Sequence, residues 1–389
     1  MVYYCRNTNF ITLQEYIMCD NNRQAAIESS RQVIVKAGTR LLIDRKSIAN
    51  IVSGVAALRK SGRQVLLVSS GAVGMGMEVL GLDKRPKQLS RRQALAAVGQ
   101  SALMAIYSEE CKRHGFACAQ LLLTAGDLRK RSRYLNVMNC VNALWAENVL
   151  PIVNENDPVS VDELKFGDND TLAGLLGSLT GAGLTILLTT VDGLRDRNSD
   201  GTLGERIPVV SKLSDAVYKL AGGTDDANFS IGGMESKLRA ANIVTSAGEY
   251  LWIADGREEN VLQKILNAED IGTLFLPSSN RLSGHKRWLT FFSRVSGKIT
   301  VDAGAAKAIE KNGKSLLPSG VTGVEGEFKR GDTVEIAGPD GKPFARGLIN
   351  YSSADAAKIA GMQSADVTNL LGNSAESELI HRDHLTITR

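Results

Sequence analysis

From Arg31 onward the chain alternates short runs of β-branched and aliphatic residues with longer stretches in which apolar residues recur at helical spacing. The short runs lie at residues 32–36, 64–69, 117–123, 149–153, 184–189 and 250–254. The gap between the first two runs shows the helical spacing clearly, at Ile48, Ile51, Val52, Val55 and Leu58. This alternation predicts an α/β fold, in which a mostly parallel sheet is sandwiched by helices.

The sequence pattern changes after Leu276. Pro277 and two serines are followed by short segments that resemble strands and are separated by glycines. A chain of 389 residues also exceeds the usual single domain of about 100 to 200 residues. We therefore expect an α/β domain at 31–276, a linker at 277–295 and a small, mainly β domain at 296–375. Residues 1–30 are expected to be an N-terminal extension of unknown role, and residues 376–389 a C-terminal tail.

Composition excludes several classes of partner. Lys and Arg total 46 against 42 Asp and Glu, and a net charge of +4 is too small to indicate nucleic acid or a membrane as the main partner. No run of about 18 apolar residues occurs, so no membrane span is expected. The five cysteines include no C-x-x-C pair, which favours reduced thiols in a cytoplasmic protein.

Parallel sheets bind ligands at the carboxyl ends of their strands, so residues that follow the predicted strands are the first candidates for a site. Lys36 and Gly38 follow the first strand, where a cation and backbone amides can face an anion. Ser70 and Gly71 follow the second strand, where small residues let a ligand approach the main chain. A solvated lysine and a tight turn that needs glycine are the plainer interpretations of these two segments.

Carboxylates and amides are concentrated after the fourth strand. Asn154 to Asp157 are followed by Asp168, Asn169 and Asp170, at a predicted helix start. An acid can bind an ammonium group and amide donors can bind carboxylates, so this density suits an amino-acid ligand. Helix capping would account for one or two of these residues, but not for all of them.

A second lysine and a second glycine turn occur later in the chain. Thr189 and Thr190 end the fifth strand, and Gly232-Gly233-Met234 precede Lys237 near the start of a predicted helix. A helix start with a lysine is suited to an anion. The combination of Lys237 with Lys36 indicates a phosphate site.

The segments taken together resemble the amino acid kinase family. The blocks that carry the resemblance are VKAGT at 35–39, SSGAV at 69–73, LAAVGQ at 95–100, PIVNEND at 151–157, KFGDND at 165–170 and GGMESK at 232–237. The C-terminal part, with segments at 297–309, 315–321 and 328–336, resembles a PUA domain.

The resemblance implies roles for particular side chains. Lys36 and Lys237 would contact the transferring phosphoryl group, and Asp170 would hold the two lysines in position. The amino-acid substrate would be bound by Ser70, Asp157, Asn169 and Asn154. ATP would be bound by Lys36, Gly38, Thr189, Thr190, Ile231, Gly232, Gly233, Met234 and Lys237. No metal site built from protein ligands is expected, because Mg2+ would lie on the ATP phosphates.

The implied activity is transfer of the γ-phosphate of ATP to the side-chain carboxylate of free L-glutamate, the first step of proline biosynthesis. The family also implies a homo-oligomer, dimeric or tetrameric, and proline as a feedback inhibitor. RNA binding by the PUA-like domain is not expected, because that domain lacks a dense basic and aromatic stripe.

Two alternatives remain at the level of the sequence. The acceptor could instead be aspartate, acetylglutamate, carbamate or a nucleoside monophosphate, or the chain could be a catalytically weak RNA-binding or regulatory protein. The second alternative is motivated by departures from the family pattern on the predicted nucleotide side. Thr190 stands where aspartate is usual, Arg40 where a small hydroxyl residue is common, and Ser230-Ile231 where a Gly-Thr pair is usual.

Overall fold

A computed structural model describes residues 13–42, 44–129, 131–159, 168–198, 200–221, 233–279, 281, 284–291, 293, 295–371 and 376–388. The chain divides after Arg281 into two compact units. In the described part of the chain, no helix is both long and apolar enough to cross a membrane.

The first unit is built on an eight-stranded sheet. The strands of this sheet are β1 Gln32–Ala37, β2 Gln64–Ser69, β3 Cys118–Leu123, β4 Leu150–Glu155, β5 Leu184–Thr189, β8 Val209–Val210, β9 Tyr250–Asp255 and β10 Thr273–Phe275. Two further strands, β6 Arg195–Arg197 and β7 Leu203–Arg206, form a separate hairpin. The strand order is β3-β4-β2-β1-β5-β9-β10-β8, and β6 pairs only with β7. Every pairing in the large sheet is parallel except the antiparallel pair of β9 and β10.

Helices connect these strands. They are α1 Leu13–Glu28, α2 Arg45–Lys60, α3 Ala72–Val79, α4 Leu89–Arg113, α5 Ala125–Arg129, α6 Arg131–Ala146, α7 Asn169–Thr180, α8 Asp215–Ala221, α9 Met234–Ser246 and α10 Val261–Leu266. The predicted α/β architecture is therefore confirmed, and the six predicted strands all form. Five of them, β1, β2, β4, β5 and β9, are almost continuously buried, which is typical of parallel strands covered on both faces, whereas the edge strand β3 is mostly half-buried.

Local sequence fixes where the helices begin. Asp168 caps α7 by accepting a hydrogen bond from the Thr171 amide at 2.7 Å. Gly71 precedes α3 with a φ of 93°, a left-handed conformation in which a side chain would be strained. The turn interpretation of that glycine is therefore correct.

Close packing of α3 against α4 depends on two glycines. A Cβ added to Gly99 would lie 1.8 Å from the Ala72 carbonyl oxygen, and one added to Gly76 would lie 2.0 Å from the Leu95 carbonyl oxygen. These distances are far below van der Waals contact, so the two backbones approach only because both positions lack side chains. The contact fixes the position of α4 against α3.

Part of the predicted N-terminal extension belongs to the first unit. Helix α1 places Ala26 and Ile27 in the main apolar core. Arg23 is almost fully buried and pairs with Asp20 and with Asp270. Because a buried guanidinium needs a carboxylate partner, Asp270 ties α1 to the end of the sheet.

The second unit is small and mainly β. It contains β11 Val295–Val301, β12 Val321–Gly326, β13 Thr333–Ala337, β14 Pro343–Leu348 and β15 Leu385–Ile387, in the order β12-β11-β13-β14-β15. Its helices are α11 Gly284–Phe291, α12 Ala303–Asn312, α13 Ser353–Ile359 and α14 Ser364–Leu371. Only the β11–β13 pair is parallel among the described strands of this sheet.

Two segments of this unit differ from the sequence-based expectation. The segment predicted as a linker contains α11, which packs against β14 and β15. The segment predicted as a C-terminal tail supplies β15, which pairs antiparallel with β14. A three-residue edge strand gives almost no periodic signal, since its pairing depends on a partner about 40 residues away in the sequence.

Candidate active site

The carboxyl ends of β1, β2, β4 and β5 lie side by side in the sheet, and helix α7 begins beside them. Lys36 is the penultimate residue of β1, and Asn154 is the penultimate residue of β4. Asn169 and Asp170 form the first turn of α7. The topology therefore brings together side chains that are far apart in the sequence.

Lys36, Asp170 and Lys237 form one buried ionic cluster. Lys36 Nζ lies 2.7 Å from Asp170 Oδ1, and Lys237 Nζ donates to Asp170 Oδ2 at 3.0 Å. Both lysines are only 7% exposed and the aspartate 3%. Lys237 reaches the cluster from the first turn of α9, which packs against α7.

The charges in this cluster do not balance among the described residues, because two buried lysines share one carboxylate. Burial alone would raise the pKa of Asp170, but the charges of Lys36 and then Lys237 outweigh it and lower the pKa below the ordinary 3.8. Asp170 is thus ionised at neutral pH, and one positive charge remains uncompensated. Since burying an unpaired charge is costly, this arrangement is suited to an anionic ligand.

Ser70, Asn154 and Asn169 form a second cluster beside the first. Asn169 Nδ2 lies 2.8 Å from Ser70 Oγ, 3.0 Å from Asn154 Oδ1 and 3.1 Å from the Ser69 carbonyl oxygen. Asn154 is buried and Asn169 is partly exposed. Because Asn169 precedes Asp170 directly, the amide cluster and the ionic cluster share the first turn of α7.

The structure places Asp157 in the turn after β4, partly exposed. It lies two residues beyond the strand end, whereas Asn154 lies within the strand. Three of the four residues predicted to bind the amino acid are linked to one another, because Asn169 donates hydrogen bonds to both Ser70 and Asn154.

Gly38, Thr189 and Thr190, which are predicted to bind the nucleotide, lie at or beside the carboxyl end of β5. The Gly38 amide donates to the Leu188 carbonyl oxygen at 3.2 Å, and a Cβ at Gly38 would lie 3.5 Å from Lys36 Nζ. Thr189 ends β5 opposite Asp255 of β9. The Thr190 carbonyl oxygen accepts from Arg257 Nη2 at 2.8 Å.

A carboxylate does lie close to Thr190, although Thr190 itself departs from the family pattern. Asp255 is bonded by the Arg257 guanidinium, which lowers the pKa of Asp255 although burial would raise it. The pair joins the ends of β5 and β9.

The glycine turn before α9 is only partly described. Gly233 precedes α9, and Met234 is its first residue. Ile231 and Gly232, like Ser230 and the segment 165–167, lie outside the described residues.

Two further polar residues of the site were not assigned from the sequence. Ser236 Oγ lies 3.1 Å from Asp170 Oδ2 and is buried. Gln100 Oε1 accepts from Asn154 Nδ2 at 2.9 Å. A signal for Gln100 was available, since it occurs at helical spacing with the buried residues Leu95, Ala96, Gly99 and Leu103. A glutamine on a buried helix face needs a hydrogen-bond partner.

Comparison with known proteins agrees with this architecture. The model described as the amino acid kinase family matches residues 31–255, and the PUA domain model matches residues 297–371. The chain therefore belongs to the amino acid kinase family and carries a C-terminal PUA domain.

Individual relatives cover almost the whole chain. The glutamate 5-kinase of Trichlorobacter lovleyi is 42% identical over 94% of this chain and 99% of its own length. That of Desulfotalea psychrophila is 44% identical over the same shares. Among solved structures, carbamate kinase from Giardia lamblia bound to AMP-PNP aligns with a TM-score of 0.45 and 20% identity, over 64% of this chain and 99% of that chain.

Proposed function

We propose that this chain transfers the γ-phosphate of ATP to the side-chain carboxylate of L-glutamate, giving glutamate 5-phosphate. The observation that carries the proposal is the placement of Lys36 and Lys237 on one buried carboxylate, directly beside the amide cluster. The relatives described as glutamate 5-kinases, at 42% and 44% identity, support the choice of glutamate as the acceptor.

The acceptor needs no general base. A glutamate side chain has a pKa of about 4.3, so it is ionised at neutral pH. One carboxylate oxygen forms a bond to the γ-phosphorus, the bond from phosphorus to the β,γ-bridging oxygen breaks, and ADP leaves with that electron pair. No proton has to move in this step.

The barrier is the approach of one anion to another. Lys36 and Lys237 neutralise charge on the transferring phosphoryl oxygens, where positioned cations are most effective. Asp170 keeps the two ammonium groups on either side of one carboxylate, so they are held in place before ATP binds. The lysines thereby stabilise the transition state without reorganisation at the moment of transfer.

We expect Mg2+ to enter this site as a partner of the nucleotide. Among the described residues, no group of three or more His, Cys, Asp or Glu side chains is arranged to hold a metal. Mg2+ commonly binds through phosphate oxygens and water, so ATP would carry it and Mg2+ would supply further charge neutralisation. Gly38, Thr189, Thr190 and the start of α9 at Gly233 and Met234 would bind the nucleotide, together with Ile231 and Gly232.

The proposal includes further properties that the family resemblance implies. Glutamate 5-phosphate formation would open proline biosynthesis in the cytoplasm, and proline would be a feedback inhibitor. Assembly into dimers or tetramers is part of the same proposal. Sedimentation equilibrium would measure the assembly, and titration of activity with proline would measure the inhibition.

The test of the function is hydroxylamine trapping with a panel of acceptors. With ATP and Mg2+, L-glutamate should give the γ-hydroxamate, while L-aspartate and N-acetyl-L-glutamate should give much less. Preference for aspartate or acetylglutamate would move the assignment to another acceptor. No hydroxamate from any acid, together with salt-sensitive RNA binding, would contradict a kinase assignment.

A further inference from the structure

The amide orientations in the Ser70, Asn154 and Asn169 cluster are fixed by backbone groups whose polarity cannot change. The Glu155 N–H donates to the Asn154 side chain at 2.9 Å, so the atom that faces it is Oδ1. Asn154 must then direct Nδ2 towards Gln100, at 2.9 Å. Gln100 accordingly contributes its acceptor, Oε1, to this contact.

The same reasoning fixes the orientation of the Asn169 side-chain amide. Its amide faces the Ser69 carbonyl oxygen at 3.1 Å and Asn154 Oδ1 at 3.0 Å, and both of these atoms are acceptors. The nitrogen of Asn169 therefore points inward. Its Oδ1 has no polar contact among the described residues, and it is left as a hydrogen-bond acceptor for a ligand.

We propose that Gln100 is a positioning residue of the amino-acid pocket, which acts through Asn154 to hold Asn169 with Oδ1 presented to the ammonium group of the substrate. This inference rests on the proposed function, because it concerns the acceptor pocket of the same reaction. Gln100 contacts Asn154 and is itself only 7% exposed. It therefore acts on the pocket through Asn154 and not by direct contact with the substrate.

Loss of the Gln100 acceptor disturbs the cluster in one of two ways. Asn154 can keep its orientation, with Nδ2 buried and without its partner. Alternatively, its amide can rotate, which takes Oδ1 away from the Glu155 N–H and sets Nδ2 against Nδ2 of Asn169. Either response weakens the hold on Asn169, because a buried donor without an acceptor is costly.

The depth of Gln100 is itself set by helix packing. Gly99, the residue before Gln100, lies against the backbone of α3 and holds α4 in place at this point. Substitutions at position 100 therefore change the hydrogen bond while the helix is held elsewhere along its buried face.

The experiment compares Gln100→Leu, Gln100→Met and Gln100→Glu, with Ser101→Ala as a control at the exposed neighbouring position. Gln100→Leu and Gln100→Met remove the amide acceptor at similar volume, whereas Gln100→Glu keeps an oxygen acceptor for Asn154. Initial rates of hydroxamate formation give kcat and KM for glutamate and for ATP, and circular dichroism establishes that each variant is folded.

Gln100→Leu should raise KM for glutamate roughly 5- to 100-fold, the range for a buried donor left without a partner. Its kcat and its KM for ATP should stay within about threefold of the parent enzyme, because the lysine cluster is untouched. Gln100→Met should behave similarly and Ser101→Ala should resemble the parent, whereas Gln100→Glu should fall between them, because it keeps the acceptor but places a carboxyl group in a buried position.

A second readout isolates recognition of the ammonium group. Glutarate has both carboxylates of glutamate and no ammonium group, so it competes for the pocket without using Asn169 Oδ1. Gln100→Leu should change inhibition by glutarate by less than about threefold, well below its effect on glutamate.

Two results would overturn the inference: an unchanged KM for glutamate in Gln100→Leu, or an equal loss for glutarate and glutamate. A parent enzyme that forms the γ-hydroxamate separates these results from failure of the proposed function. A parent enzyme that forms none overturns both proposals.

Discussion

Lys237 donates a hydrogen bond to Asp170 at 3.0 Å although 67 residues separate them along the chain, and both side chains are buried. The bond joins the first turns of α7 and α9, which pack closely. A Cβ added to Gly174 of α7 would lie 3.1 Å from Ala240 of α9. The position of Lys237 is therefore set by helix packing as well as by charge.

Replacement of Lys237 by methionine should lower kcat about 100-fold or more, the usual loss when one group that stabilises transition-state charge is removed. Methionine keeps much of the side-chain volume and removes the cation. Steady-state rates with glutamate and ATP measure the effect. Lys219→Met, at an exposed position of α8, is the matched control and should be neutral. A Lys237→Met enzyme with more than a tenth of parental turnover would contradict the role of this lysine.

Replacement of Asp170 by asparagine should lower the free energy of unfolding by roughly 3–5 kcal/mol, because two buried lysines lose their shared carboxylate. Lys237→Met should cost less, since Asp170 still pairs with Lys36. Urea denaturation measures both differences. Asp168→Asn is the control, because asparagine also caps helices well. Equal destabilisation by Asp168→Asn and Asp170→Asn would contradict the ionic account.

The contribution of Asp170 to stability should depend on pH. Its pKa is lowered in the folded protein, so the unfolded chain binds its proton first as the pH falls. The stabilisation is complete well above pH 3.8 and is lost as the pH falls from there towards the folded pKa. Unfolding free energies measured between about pH 6 and pH 3 should therefore fall more steeply for the parent than for Asp170→Asn. Parallel curves would exclude a lowered pKa.

Removal of the Ser236 hydroxyl should slow turnover, because Oγ lies 3.1 Å from the same Asp170 oxygen that Lys237 contacts. We expect Ser236→Ala to lower kcat about 10-fold, since hydrogen bonds to charged groups are the stronger ones. Ser236→Thr keeps the hydroxyl and should recover most of the rate. If alanine and threonine variants are equally slow, or alanine is as fast as serine, Ser236 does not position Asp170.

The sheet could be predicted because its signals lie in short, dense segments, whereas the pairing of Asp170 with both lysines was expected only from the family resemblance. Strands buried on both faces, such as β1 and β5, give runs of apolar residues that cannot be mistaken for turns. Lys36 and Asp170 are polar residues at strand or helix ends, where ligand sites form.

Other features depend on contacts that no local pattern records. Strands β8 and β10 have two and three residues, too few for periodicity to be detected. Helix α1 lies in a polar segment and is held by the pairing of Arg23 with Asp270 near the other end of the unit. The helical spacing showed that Gln100 is buried, but the contact with Asn154 could not be inferred, because the spacing does not say which residue lies opposite.

The most direct measurement of the central claim follows the acceptor oxygen. L-Glutamate labelled with 18O in its side-chain carboxylate is incubated with ATP, Mg2+ and hydroxylamine, and the released phosphate is analysed by mass spectrometry. Attack by the carboxylate on the γ-phosphorus predicts one 18O atom in each phosphate released with the hydroxamate. Phosphate without the label would mean that water, and not glutamate, accepts the phosphoryl group beside Lys36 and Lys237.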